Sequence, residues 1–118
     1  MNDFTDFPAF TRNENNAIDP AMQSKGVVGY VWDGADSSQV GIWTSHRDGI
    51  SSEHTHPYDE YFVIVQGIYI LIMGSRRIAL RKGDEYFIPR DTPHSGEFTA
   101  GTRSIHIFGC KRAERKKG

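Results

Sequence analysis

Two apolar segments set back to back, YFVIVQ (61–66) and IYILIM (68–73), parted by one glycine, constrain the fold more than any other feature of the chain. Both are rich in β-branched and aromatic residues and are too short for ordinary helices, so they read as strands. A strand with one wet face alternates apolar and polar residues, and neither of these does. Each therefore needs cover on both faces. One face belongs to the interior of a small β-structure. The other needs a second cover, from a partner subunit or from the N-terminal part of the chain. The expectation is a homodimer.

The pattern recurs in VVGYVW (27–32), VGIWTSH (40–46), RIALR (77–81), EYFIP (85–89) and RSIHIF (103–108). Turn clusters separate them: DGADSS, RDGIS, GSRR, KGD and FTAGT. Short strands at this spacing, with no sustained helical period, predict an all-β sandwich or barrel. There is no helix-turn-helix pattern and no internal repeat. The chain divides into an N-terminal arm (1–25), a barrel (26–110) and a basic tail (111–118). The arm is polar and acid-leaning but carries Phe4, Phe7 and Phe10. It is either loose or docked through those rings, since disordered segments usually lack aromatics. The tail, KRAERKKG, has five basic residues and one acid and is expected to be solvated.

Composition removes several classes of function. The 118 residues suit one domain. With 14 basic and 15 acidic residues the net charge is −1, so no global field captures a polyanion, and nucleic acid is not an expected partner. No apolar run approaches the ~20 residues of a membrane helix, and the N-terminus does not read as a signal peptide. Cys110 is the single cysteine, so no intrachain disulfide forms, and a cytoplasmic location is expected.

Chemistry concentrates in EHTHPYDEYFVIVQG, from Glu53 to Gly67. In an extended segment residues i and i+2 share a face, so His54 and His56 point the same way. Glu60 follows a short bend, and if it faces inward so do Phe62 and Ile64. Imidazoles with a carboxylate suit Fe, Mn, Ni, Co or Zn. A cation would also compensate a carboxylate entering an apolar core, where an unpaired charge is costly.

In full, GISSEHTHPYDEYFVIVQG resembles the first motif of the cupins: Gly, His-x-His, a short gap, Glu, six residues, Gly. The gap from Gly49 to His54 is one residue shorter than usual. GDEYFIPRDTPHSGEF resembles the second motif, with Gly83, Pro89 and His94 on the pattern. Asp91 stands where that motif has glycine, and Phe98 where it has asparagine. Asp tolerates turn geometry well. The resemblance covers residues 26–109. It implies a double-stranded β-helix, or jelly-roll barrel, holding one divalent transition metal on His54, His56, Glu60 and His94. Three histidines and one carboxylate leave positions of an octahedral ion open, a catalytic rather than a closed structural arrangement.

That resemblance implies a metal-dependent enzyme acting on a small molecule, by dioxygenase, isomerase, epimerase or decarboxylase chemistry. The alternative is a non-catalytic ligand-binding or sensing module, a role that many cupins carry when fused to a DNA-binding domain. An isomerase needs a base, and His46 and His106 are the candidate catalytic residues. For each, a surface position or an ordinary core position is the competing reading. Tyr58, Trp43, Tyr69 and Tyr86 either shape a pocket or pack the core. Arg90 and Arg103 are candidate holders of a substrate carboxylate, while Arg76 and Arg77 belong to a hairpin in solvent.

Overall fold

The computed structural model describes residues 5–116. Among these residues nine strands run in chain order: β1 (Val27–Asp33), β2 (Gln39–Ser45), β3 (Gly49–Ile50), β4 (Glu60–Gln66), β5 (Ile68–Met73), β6 (Arg76–Arg81), β7 (Glu85–Ile88), β8 (Ser95–Phe98) and β9 (Arg103–Phe108). The paired strands are antiparallel and form two sheets, ordered β1-β2-β9-β4-β7 and β3-β8-β5-β6. The sheets close on one another through Phe62 and Ile64 of β4, Leu71 of β5, Leu80 of β6 and Ile88 of β7. This is the jelly-roll barrel expected from the sequence. Among the described residues the only helical pieces are three short 3-10 turns in the arm, and no helix is long and apolar enough to cross a membrane.

β4 alternates as its sequence requires, with Glu60, Phe62 and Ile64 buried and Tyr61, Val63 and Val65 on the outer face. Gly67 has φ +81°, which lets the chain reverse at once into β5. Two strands are hidden in the sequence: β3 falls within RDGIS, read as a turn, and is only two residues long, and in β8 SGEF has a glycine at its second position and little β-branched character. That glycine is needed. A Cβ on Gly96 would collide with the Tyr69 ring and hydroxyl, which pack over the strand from β5.

The described parts of the arm and of the tail both dock. Phe7 is buried, and Arg103 lies 4.8 Å above its ring, whereas Phe10 is 81% exposed; Phe4 lies outside the described residues. Ala17 bridges Tyr30 on β1, and Ile18 bridges Arg115 of the tail. The tail thus departs from the solvated segment expected of its charge. Ala113 is buried, Arg115 pairs with Asp33 at 2.7 Å, and Lys116 pairs with Glu14 at 2.6 Å. The clamp is Gln39, fully buried at the start of β2. Its Oε1 accepts from the backbone N–H groups of Arg112 and Ala113, both at 2.9 Å. Its Nε2 donates to the Asp33 carboxylate at 2.9 Å and to the Ala113 carbonyl at 3.1 Å.

Truncating this glutamine leaves buried backbone groups unsatisfied, at a cost of ~1–3 kcal/mol for each such group. Gln39→Ala is expected to lower unfolding stability by about 2–4 kcal/mol in urea titration. It should also speed amide exchange at Arg112 and Ala113 well beyond that of β4. Unchanged exchange there would contradict the clamp.

Candidate metal centre

His54 and His56 lie in the connection between β3 and β4, and His94 lies just before β8. Two reciprocal backbone bonds tie the connections together: His54 N–H to the His94 carbonyl at 2.9 Å, and His94 N–H to the His54 carbonyl at 3.0 Å. A third bond, from Asp91 N–H to the His56 carbonyl at 2.8 Å, sets the turn that delivers His94. Asp91 takes φ +62°, the left-handed conformation that glycine would adopt most easily. The three rings converge, with centroids 4.8 Å (His54–His56), 4.4 Å (His54–His94) and 5.2 Å (His56–His94) apart. One ligand nitrogen from each lies within 4.8 Å of the others.

The hydrogen bonds choose the tautomers. His54 Nδ1 faces the Ser52 carbonyl at 2.7 Å, and His94 Nδ1 faces the Thr92 carbonyl at 2.9 Å. A carbonyl only accepts, so each Nδ1 carries a proton, and Nε2 is the atom of each ring whose lone pair a metal would take in place of a proton. This is how metal-ligating histidines are ordinarily held. Glu60 Oε1 sits 3.4 Å from His56 Nε2 and 3.5 Å from His94 Nε2. The three imidazoles together could hold a metal ion, and Glu60 stands beside two of them.

Glu60 is 6% exposed. Burial pushes its carboxyl up, but hydrogen bonds from His106, His56 and His94 outweigh burial and hold it far below the usual carboxylate range. Burial lowers His54 and so favours its neutral, metal-binding form. Burial also works to lower His94, but the Glu60 hydrogen bond leads the opposing effects, and the net shift is upward.

The second oxygen of Glu60 is engaged elsewhere. Oε2 accepts from His106 Nδ1 at 2.8 Å, and His106 Nε2 meets the Ser104 hydroxyl at 2.8 Å. Because the carboxylate takes the Nδ1 proton, Nε2 of the neutral ring accepts from Ser104. The imidazole also stacks on Phe62 (4.8 Å, 11°), with Trp43 edge-on at 5.0 Å. His106 thus lines the cavity as a tethered group that orients Glu60. His46 corrects the expectation of a second base. It is exposed beyond the end of β2 and outside the cavity lining, because Gly41, Trp43 and Ser45 form the inward face of that strand.

The cavity has a volume of about 150 Å³ and reaches from the histidines to the docked arm and tail. Trp43 and Tyr69 line it, with Trp43 Nε1 donating to Gln23 of the arm at 3.1 Å. Tyr86 packs against the core, and Tyr58 stacks on His56 at 4.9 Å. Phe98 lines the cavity beside Tyr69. Neither arginine considered for a carboxylate lines it. Arg90 is exposed beside Asp91, and Arg103 donates to Gln66 at 2.9 Å and faces Phe7. Arg77 pairs with Glu97 at 2.6 Å. Sequence reasoning missed Ser104, the cavity's wall from the arm, and Arg112. Ser104 shares the strand parity of His106, so that signal was present. Nothing local marked Arg112, because its placement depends on Gln39, 73 residues away.

Residues 41–107 match the family described as Cupin domain (Cupin_2). No curated protein matches the chain. Among solved structures the chain is similar to KdgF from Halomonas sp., with 19% identity, 84% of this chain and 91% of that one covered, and a TM-score of 0.71. It is similar to an RmlC-like cupin from Shewanella frigidimarina, with 16% identity, 83% and 86% covered, and a TM-score of 0.71. It is also similar to the polyketide cyclase RemF from Streptomyces resistomycificus, with 18% identity, 87% and 75% covered, and a TM-score of 0.64.

A carboxylate whose folded pKa is depressed adds stability that is complete above its unfolded value, about 4.3, and is lost as pH falls through the folded value. In chelator-treated protein, Glu60→Gln is therefore expected to cost about 2–4 kcal/mol at pH 7. The gap between wild-type and variant urea midpoints should narrow at pH 3. An equal gap at both pH values would contradict the electrostatic reading of Glu60.

Proposed function

The chain belongs to the cupin family, and on that premise we propose that it is a metal-dependent enzyme acting on a small molecule. His54, His56 and His94 would hold one divalent transition metal, drawn from Fe, Mn, Ni, Co and Zn, with Glu60 completing the ligand set. The observation that carries this reading is the orientation of the rings. The Nδ1 protons of His54 and His94 go to backbone carbonyls, so Nε2 is the atom each ring turns to a metal, with a buried carboxylate close by at the cavity. That donor set suits the metals named and leaves ligand positions open.

A metal bound there supplies Lewis-acid polarisation or redox chemistry, which accommodates isomerase, epimerase or dioxygenase reactions. The chain's own residues have separable tasks. Ser52 and Thr92 fix the ligand tautomers through their carbonyls. His106, steadied by Ser104, holds Glu60 through one oxygen and leaves the other turned toward His56 and His94. Trp43, Phe98 and Phe108 give the cavity an apolar wall that limits water at the site. The polyketide cyclase among the similar structures is an enzyme on a related barrel, which supports catalysis in general without indicating the substrate.

One observation favours a second reading, a ligand-binding barrel without turnover. Of the two histidines expected as bases, His46 is at the surface and His106 is engaged at both ring nitrogens.

We also propose a homodimer in which a second copy covers the outer face of the five-stranded sheet. Phe87, Tyr61, Ile107, Val40 and Trp32 stand in register, one on each strand, as an apolar row across that face. Phe87 is 53% and Ile107 43% exposed. A contiguous apolar face of this kind ordinarily marks an interaction surface.

The metal reading is tested by elemental analysis of untagged protein purified without chelator, beside His56→Ala. The expected result is about one metal per chain in the wild type and at least a tenfold loss in the variant. Little metal in either, even after reconstitution with Fe(II), Mn(II), Ni(II) and Zn(II), would leave the binding barrel. For the assembly, sedimentation should give twice the 13.3 kDa chain mass, and Ile107→Lys should return the monomer. A wild-type monomer would rule out the dimer.

A further inference from the structure

The tail contributes one side chain to the cavity that neither the metal centre nor the fold uses. Among the described residues, Arg112 is the one arginine or lysine in the cavity lining. Its charged neighbours among the described tail residues are paired: Lys111 with Glu114, Arg115 with Asp33 and Lys116 with Glu14. Among the described residues the Arg112 guanidinium has neither an ion pair nor a hydrogen bond, and only its backbone N–H is engaged, by Gln39.

Its position is built. The fully buried Gln39 side chain grips residues 112 and 113 from one side, and Arg115 anchors the chain three residues on, to Asp33 and the Val31 carbonyl. Arg112 shares the cavity lining with His54 and His94 of the two histidine motifs and with Tyr69 of β5. Tyr69 lines the same space, and among the described residues its hydroxyl has no hydrogen-bond partner.

We propose that Arg112 anchors the carboxylate of a small anionic ligand whose remaining oxygen functions reach the metal centre, with the Tyr69 hydroxyl as a further polar contact. The proposal rests on the metalloenzyme reading for the second half of that statement only. A planar guanidinium meets a carboxylate through two parallel hydrogen bonds, and such charge-assisted pairs are strong in sites shielded from water. A single fork with neutral hydroxyls around it suits one carboxylate better than a phosphate, which usually gathers several cations or backbone N–H groups. The volume of about 150 Å³ is below the ~300–1,000 Å³ of sites for drug-sized molecules, so the ligand is a small metabolite.

The test is calorimetric titration of metal-loaded protein with pyruvate, glycolate and malonate, using glycolamide and inorganic phosphate for comparison. Metal content is measured on the same samples. At least one carboxylate should bind while glycolamide does not. Arg112→Gln should weaken that binding about ten- to a hundredfold at unchanged metal content, and Arg112→Lys should restore part of it. Equal affinity in wild type and Arg112→Gln would overturn the anchor, as would phosphate bound in preference to every carboxylate, or no binding at all. If carboxylates bind in an Arg112-dependent way to protein that takes up no metal, the anchor stands and the metalloenzyme reading fails. If metal is held but binding ignores Arg112, the anchor alone fails.

Discussion

A carboxylate on the inward face of a β-strand, directly followed on that face by Phe62 and Ile64, is the constraint around which this barrel is organised. Glu60 is buried in surroundings that would ordinarily expel a charge. It stays ionised because three imidazoles face it, two through Oε1 and one through Oε2. The two oxygens divide the surroundings. One side is the cluster of His54, His56 and His94, and the other is a chain from His106 to Ser104 that ends inside the protein.

This division links fold to chemistry. β4 and β9 pair with Glu60 opposite Phe108 and Phe62 opposite His106, so sheet register alone brings the carboxylate beside its orienting imidazole. A one-residue slip of either strand would turn Glu60 or His106 to the outer face. The histidine cluster depends on a different contact, the paired backbone bonds between His54 and His94. The site is thus assembled where a strand pairing within one sheet meets a bridge between two connections.

Much of this was legible in the sequence because it is local. Alternation put Glu60, Phe62 and Ile64 on one face, and His-x-His put two imidazoles on one side. Asp91 proved compatible with a turn that usually takes glycine, and its φ of +62° shows how. What was not legible depends on distant partners. β8 lacks strand-like residues because Gly96 must admit Tyr69. The tail looked solvated because charge dominates its composition, yet Gln39 holds it by bonds to backbone groups, which composition does not encode. His46 was assigned to the cavity from its residue type, but it lies exposed past the end of β2, away from the inward face that carries Trp43 and Ser45. Arg112 was invisible for the same reason as the tail that carries it.

The central claim is that three Nε2 atoms and one oxygen of Glu60 share a single ion. X-ray absorption at the metal edge, on protein reconstituted with Mn(II) or Fe(II), tests it most directly, because imidazole rings give a multiple-scattering signature that can be counted. Three imidazoles, falling to two in His94→Ala, are the predicted result. A spectrum with one imidazole or none, or one unaltered in the variant, would contradict the account.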